Sequence, residues 1–244
     1  MPTDPTPSAR GGHVNSEKAK RERKARKIET ILGARIDLAE ADVLDLGAGS
    51  GHLSAFFAPI VKNITAGDRE TDTFLPDDIE IVATPDPNLP FDNASFDAVI
   101  FNHVIEHVGT RQDQARSLSE IHRVLRPGGC LYLAVPNTWT IVEPHYRLPF
   151  LSWLPARLAD AWVRRTGQND WYDCTPFSHP QIKRAISDAG FACEDVTGEA
   201  FYRFLEIEKA DTPLGKILQR APKALVNLSA PIMPTLIMIA RKQP

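Results

Sequence analysis

The chain has 244 residues, 43% hydrophobic and 24% charged, which suffices for one main globular domain with insertions and excludes a disordered or fibrous protein. A formal net charge of -3 gives no general attraction for polyanions, so nucleic-acid binding would need a local basic patch. Cys130, Cys174 and Cys193 are odd in number and lack a C-x-x-C pair, which disfavours a disulfide framework or a structural zinc site. No apolar run is long enough to span a bilayer and the N-terminus has no apolar signal core, so a cytoplasmic location is expected.

In chain order, residues 1–15 read as a flexible tail and residues 16–38 as a leading helix, with Ile28, Ile31 and Leu32 on one face. The basic run Lys18, Lys20, Arg21, Arg23, Lys24, Arg26 and Lys27 is interrupted by Glu17 and Glu22, as on a solvated helix face. From Asp42, short apolar runs alternate with amphipathic helices, the signature of βα units and a parallel sheet. Strands are expected at 43–46, 64–67, 79–83, 96–101, 130–135, 191–196 and 235–240. Helices are expected through Leu53, Phe56, Phe57 and Ile60, through Leu118, Ile121 and Leu125, and through Ile182, Ala185, Ile186 and Ala189. Pro127-Gly128-Gly129 is expected to stop the second, and Ser178 or His179 to cap the third.

Between Asn137 and Ser178 lie about forty residues, far more than the roughly 2–6 of a plain connection. Rich in Trp, Tyr and Phe, with an amphipathic segment at 151–165, residues 138–177 read as an aromatic lid inserted into a core of 16–137 and 178–244.

The run Val43-Leu44-Asp45-Leu46 leads into Gly47-Ala48-Gly49-Ser50-Gly51 and then a helix, a turn that bares its backbone to a ligand. Free N–H groups at the helix start, with Asp45 to hold a cationic amino group directly or through water, suit a zwitterion. About twenty residues on, Asp68 ends the second strand, where an acid accepts hydrogen bonds from ribose hydroxyls. An adenosine-containing cofactor is implied. The third glycine comes one residue too early for G-x-G-x-x-G and there is no Tyr-x-x-x-Lys pair, which disfavours a dinucleotide-dependent dehydrogenase.

Here the chain resembles the class I S-adenosylmethionine-dependent methyltransferases, through VLDLGAGSG and the second-strand acid. Leu89-Pro90-Phe91, Ser95-Phe96-Asp97, Val104-Ile105-Glu106-His107-Val108 and the run from Glu120 to Gly129 resemble the branch acting on small molecules and quinone or lipid precursors. The resemblance is strong over about residues 40–137 and implies an α/β fold. That fold is a Rossmann-like, mostly parallel seven-stranded sheet with helices on both faces, here with the lid after the fifth strand. By position it implies Asp45, Gly47, Gly49 and Gly51 near the methionine part of S-adenosyl-L-methionine, Asp68 on the ribose, and Asn102 and His103 beside the cofactor. Pro85 stands where the family usually has an acid for adenine, so Asp86, after a small loop shift, or a backbone N–H is expected to serve.

His103-Val104-Ile105-Glu106-His107 also spells H-x-x-E-H, the inverted zinc-protease motif. It directly follows an apolar strand instead of lying inside a long helix, so no metal is assigned. His107, His145 and Tyr146, with Glu143, Tyr172 and His179, are candidates to bind substrate or remove a proton. The expected activity is methyl transfer to a small-molecule acceptor, hydrophobic or lipid-linked, by in-line displacement. The alternatives are an RNA or protein methyltransferase using the basic helix, for which the acceptor motif of base nitrogens is absent, and a non-catalytic protein on a cofactor fold.

Overall fold

A computed structural model describes residues 7–85 and 88–243, with side chains described from residue 19 onward. A seven-stranded sheet runs in the order β3-β2-β1-β4-β5-β7-β6, built from β1 (Asp42–Leu46), β2 (Asn63–Asp68), β3 (Glu80–Ala83), β4 (Phe96–Asn102), β5 (Leu125–Pro136), β6 (Phe191–Asp195) and β7 (Thr235–Lys242). The first five strands pair in parallel, whereas β7 inserts antiparallel to both β5 and β6.

Alternation along the central strands divides the core between two faces. Leu44, Leu46, Val99, Phe101, Leu131 and Leu133 point to one side, where they meet α3 (Arg111–Val124) and α5 (His179–Asp188) through Leu118, Ile121, Ile182 and Ile186. Val43, Ala98, Ile100, Tyr132 and Ala134 point to the other. There they meet α1 (Pro7–Gly33), α2 (His52–Phe57) and α6 (Thr197–Glu208) through Ile28, Ile31, Leu32, Phe57 and Ala200. Thr110 and Ser178 cap α3 and α5 with reciprocal capping boxes, so both helices start where the apolar periodicity begins.

Three sequence expectations change. The leading helix begins at Pro7, so residues 7–15 are helical where a tail was expected; proline suits a first helical position because its missing N–H needs no partner there. Lys24 and Lys27 are partly buried and burial lowers both their pKa values, while Arg21 hydrogen-bonds His52. The basic face is therefore folded partly onto the protein. Pro127-Gly128-Gly129 follows the end of α3, but the strand begins at Leu125, with an irregularity between the Phe96 and Ala98 pairings absorbing the glycines.

The long connection after β5 forms a small unit with its own core of Tyr146, Leu151, Ala159, Val163 and Cys174. It contains a 3-10 turn, Leu151–Trp153, and α4 (Ala156–Thr166). Its exit strap is fastened below the insert by Thr175 N–H to the Glu106 carbonyl (2.6 Å), by Gln114 to the Ile105 and Thr175 carbonyls, and by the Arg111 guanidinium over the Phe177 ring. A second insertion separates β6 from β7: α6 is followed by α7 (Pro213–Leu218) and α8 (Lys223–Ser229). No described helix is long and apolar enough to cross a membrane.

Candidate active site

The strand order reverses direction between β1 and β4, and a crevice opens at such a switch point beyond the carboxyl ends of the strands. A cavity of about 290 Å³ lies there, lined by Leu46 and Gly47 from the end of β1, Asp68 and Arg69 after β2, Thr84 after β3, and Phe101 and His103 at the end of β4. Leu89, Val104, His107, Val108 and Ser117 complete its wall.

The glycine loop closes tightly on β2. Gly47 and Ala48 donate to the Gly67 carbonyl at 2.7 and 3.2 Å. Gly47 has φ +77°, and a Cβ there would run into the Val104 side chain on the opposite wall. The missing side chain lets Val104 pack directly against the loop backbone at the cavity edge. Gly51 also has φ +77°, and a Cβ would meet Phe74 and Pro76 at 2.6 Å, so its role is packing under the loop. Gly49 donates its N–H to Asp68 Oδ2 (2.7 Å) and Glu70 donates to Oδ1 (3.0 Å), leaving one lone-pair direction on each oxygen beside the cavity.

Of the residues expected at the cofactor, Gly47, Asp68 and His103 line the cavity, whereas Gly49, Gly51 and Asp45 stand behind them. Asp45 is 2% exposed and accepts the Ser54 hydroxyl at 2.7 Å and the Ser54 backbone N–H, so it holds the first turn of α2. Burial pushes its carboxyl up to about 6. Asn102 ends β4 in register with Ala134 and is not among the lining residues. Asp86 lies outside the described residues.

Beyond β4 the chain turns through His103, whose φ of +59° is a left-handed conformation that a histidine holds only under constraint. The turn aims His103 Nδ1 at Glu106 Oε1 (3.2 Å), and burial lowers the imidazole pKa. Ile105–His107 forms one 3-10 turn. The insert brings His145 to the same place: its Nε2 is 3.5 Å from Glu106 Oε1, and its ring packs edge-on against His107 with centroids 4.9 Å apart. Glu143, 1% exposed, accepts the His145 and Tyr146 N–H groups on Oε2 and meets His145 Nδ1 with Oε1 at 2.8 Å, which raises the His145 pKa.

The remaining candidates separate cleanly. Tyr146 is in the core of the insert, its hydroxyl bound to Asp173 (2.7 Å) and Asn169 (3.0 Å); burial first and then Asp173 push it up to about 12, against the Asn169 hydrogen bond. Tyr172 is bound to Ser152, and His179 pairs with Asp195 at 2.6 Å beside β6. Cys174, which carried no signal in the sequence, lies 3.8 Å from both His107 Nδ1 and His145 Nδ1, its thiol pushed up by burial and nearby carboxylates. Thr84, Arg69 and Ser117 were also missed; only the position of Arg69 next to Asp68 offered a clue.

The chain matches the model of a methyltransferase domain over residues 44–133. It is 28% identical over 223 residues to a ubiquinone/menaquinone biosynthesis C-methyltransferase of Rubrivivax gelatinosus, covering 78% of this chain and 84% of that protein. It is 34% identical over 107 residues to a probable S-adenosylmethionine-dependent methyltransferase of Mycolicibacterium smegmatis, covering 42% of this chain and 40% of that protein. Its fold is that of an S-adenosylmethionine-dependent methyltransferase from Mesorhizobium loti, with TM-score 0.58 at 17% identity over 87% of this chain and 96% of the other. The glycine turn at Gly47 and the strand-end carboxylate of Asp68, both lining the cavity, fit that cofactor's amino-acid and ribose groups. With its methyltransferase domain over residues 44–133, its switch-point cavity and its seven-stranded topology, the chain is an S-adenosylmethionine-dependent methyltransferase, with S-adenosylmethionine as its methyl donor.

Proposed function

We propose that the acceptor is a small hydroxylated aromatic molecule of quinol type with an apolar substituent, methylated on a ring carbon. The observation that carries this reading is the insert itself. It brings His145 beside His107 at the cavity rim, while Trp139, Ile141, Phe150, Trp153 and Trp171 of the same insert are exposed. Trp139 and Phe150 both contact the Trp153 ring, forming an apolar outer surface that suits a lipid-like substituent. The Rubrivivax relative, named as a quinone-pathway C-methyltransferase, supports the same acceptor class.

When bound, S-adenosylmethionine supplies the methyl group as an electrophile and keeps the electron pair of the broken S–C bond on sulfur. The chain's work is then to position and to move a proton. Gly47 and Asp68 hold the amino-acid and ribose ends, with Asp45 reaching the ammonium through water, and the insert acts as a lid that keeps water from the donor. His107 takes the acceptor's hydroxyl proton, which raises electron density on the ring carbon; the ring proton leaves to solvent after the new bond forms. His107→Ala is expected to lower kcat by about 10²-fold with a much smaller change in S-adenosylhomocysteine affinity, read by single-turnover kinetics and calorimetry.

Asp45 gives this reading a pH signature. Its folded carboxyl is raised to about 6 from 3.8, so the cost of burying the charge is absent below the lower value, grows between the two and is fully present above the higher one. A ligand ammonium nearby favours the charged form and offsets that cost. Affinity for S-adenosylhomocysteine is therefore expected to weaken as pH falls through about 6, by up to about tenfold per pH unit. Asp45→Asn should flatten the profile in calorimetry, and an unchanged slope would remove Asp45 from the ligand's electrostatic reach.

Activity is tested by incubating the protein with methyl-labelled donor and short-chain hydroquinones, with phenol ethers and an RNA pool alongside. Label on a ring carbon supports the proposal, and label only on oxygen or RNA contradicts it.

A further inference from the structure

Glu106 is fully buried, and its Oε2 has no hydrogen-bond partner among the described residues. Its other oxygen faces two imidazole nitrogens: His103 Nδ1 at 3.2 Å and His145 Nε2 at 3.5 Å. All three candidate donor atoms lie within 4.8 Å of one another. A fully buried carboxylate with one oxygen orphaned among the described residues and the other facing two imidazole nitrogens is a polar group whose burial calls for compensation.

We infer that His103, Glu106 and His145 form a binding site for a divalent transition-metal ion of the zinc class. Ligand atoms about 2.0–2.2 Å from a tetrahedral zinc stand roughly 3.3–3.6 Å apart, close to the 3.2 and 3.5 Å that Glu106 Oε1 keeps to His103 Nδ1 and His145 Nε2. Two imidazoles and one carboxylate make a three-ligand set that leaves a position open to water or to an acceptor oxygen. Imidazole donors favour zinc, copper, iron or nickel over calcium, magnesium or manganese. Glu143 supplies the outer partner such sites use: its Oε1 meets His145 Nδ1 at 2.8 Å, so Nε2 is the nitrogen left facing Glu106. Glu143 is itself fixed by two backbone N–H groups, and the left-handed turn at His103 fixes the opposite ligand.

This is not the inverted zinc-protease arrangement spelled by the sequence. That motif uses two histidines on one helix, whereas Ile105–His107 is a single 3-10 turn and the second nitrogen comes from His145 in the insert. A second grouping, His107, His145 and Cys174, shares His145, but there Cys174 Sγ meets His145 at Nδ1 (3.8 Å), the nitrogen already held by Glu143. The first set is therefore favoured. His103 and His107 line the cavity, so the ion would lie next to it and anchor part of the insert to the core. Lys24 acts electrostatically on both Glu106 and His103, and a bound divalent ion would outweigh its influence. The site does not depend on which acceptor is methylated.

The test is a titration of cobalt(II), then zinc(II) in competition, into the full chain after dialysis against chelator. The expected result is one ion per chain with the intense visible absorption of low-coordinate cobalt and no sulfur-to-metal charge-transfer band. Affinity should fall by at least about 100-fold in Glu106→Gln and in His145→Ala, by about 10- to 100-fold in Glu143→Gln, and hardly at all in Cys174→Ser. His145 is partly exposed, so its variant carries the test if Glu106→Gln does not fold. No ion bound by the wild type, equal binding in the His145 variant, or a thiolate band abolished by Cys174→Ser would each overturn the assignment.

Discussion

Gly47→Ala is expected to lose S-adenosylmethionine binding by about 100-fold or more and to lower the melting temperature by roughly 6–12 °C. Two costs combine. The residue sits at φ +77°, where a Cβ costs about 1–2 kcal/mol, and the new methyl overlaps the Val104 side chain, which forms part of the cavity wall. Relieving the overlap moves either Val104 into the cavity or the loop away from β2, breaking the Gly47 hydrogen bond to the Gly67 carbonyl. Together with about 1–3 kcal/mol of overpacking, the total is about 3 kcal/mol. Gly49→Ala is the control: its φ is +55°, but nothing lies within 4 Å of the added Cβ, so it should show the backbone cost alone. Thermal melts and calorimetry on both variants check this, and wild-type affinity in Gly47→Ala would mean that the ligand does not approach this turn.

Asp68→Asn should weaken S-adenosylhomocysteine binding by a similar factor while leaving the fold intact. Asp68 accepts two backbone N–H groups, from Gly49 at 2.7 Å and Glu70 at 3.0 Å, and an amide can accept only with its oxygen. One donor would then face an NH2 group, and the loop would be pushed from the strand end where it meets the cavity. Losing a charge-assisted bond of about 1.5–3 kcal/mol to the loop, together with the acceptor for a ribose hydroxyl, corresponds to roughly 100-fold. Calorimetry with the variant measures it directly. An affinity within about threefold of wild type would place the ribose elsewhere.

What was legible in the chain was what depends on short range. The alternation that sends Val99 and Phe101 to one core and Ala98 and Ile100 to the other appears in four consecutive residues. The glycine turn and Asp68 are separated by one βα unit, and both reach the cavity. Asp45 was read as holding an ammonium directly or through water, and its side-chain partner Ser54 could not be foreseen because it becomes adjacent only after the loop has closed. The helices α7 and α8 are six and seven residues long, too short for a helical period to emerge. Hardest to foresee was the meeting of Glu143, His145 and Cys174 with Glu106, because the sequence separations are set by how the insert folds back. H-x-x-E-H was visible as a word, but its backbone turn and its third partner were not.

The insert also clarifies the division of labour. Gly47 and Asp68 belong to the part of the chain matched by the methyltransferase model, whereas His145 and the exposed Trp139, Phe150 and Trp153 lie beyond it. Changes in the insert should therefore alter acceptor choice more than donor binding, because the two sets share a cavity edge without sharing a strand.

The account rests most directly on the identity of the molecule that fills the switch-point cavity. Calorimetric titration of the wild-type chain with S-adenosylhomocysteine, and separately with NADH, tests it. One site per chain with affinity in the micromolar range for the first and no heat for the second is the predicted result. Absence of binding to S-adenosylhomocysteine, or tighter binding of NADH, would contradict it.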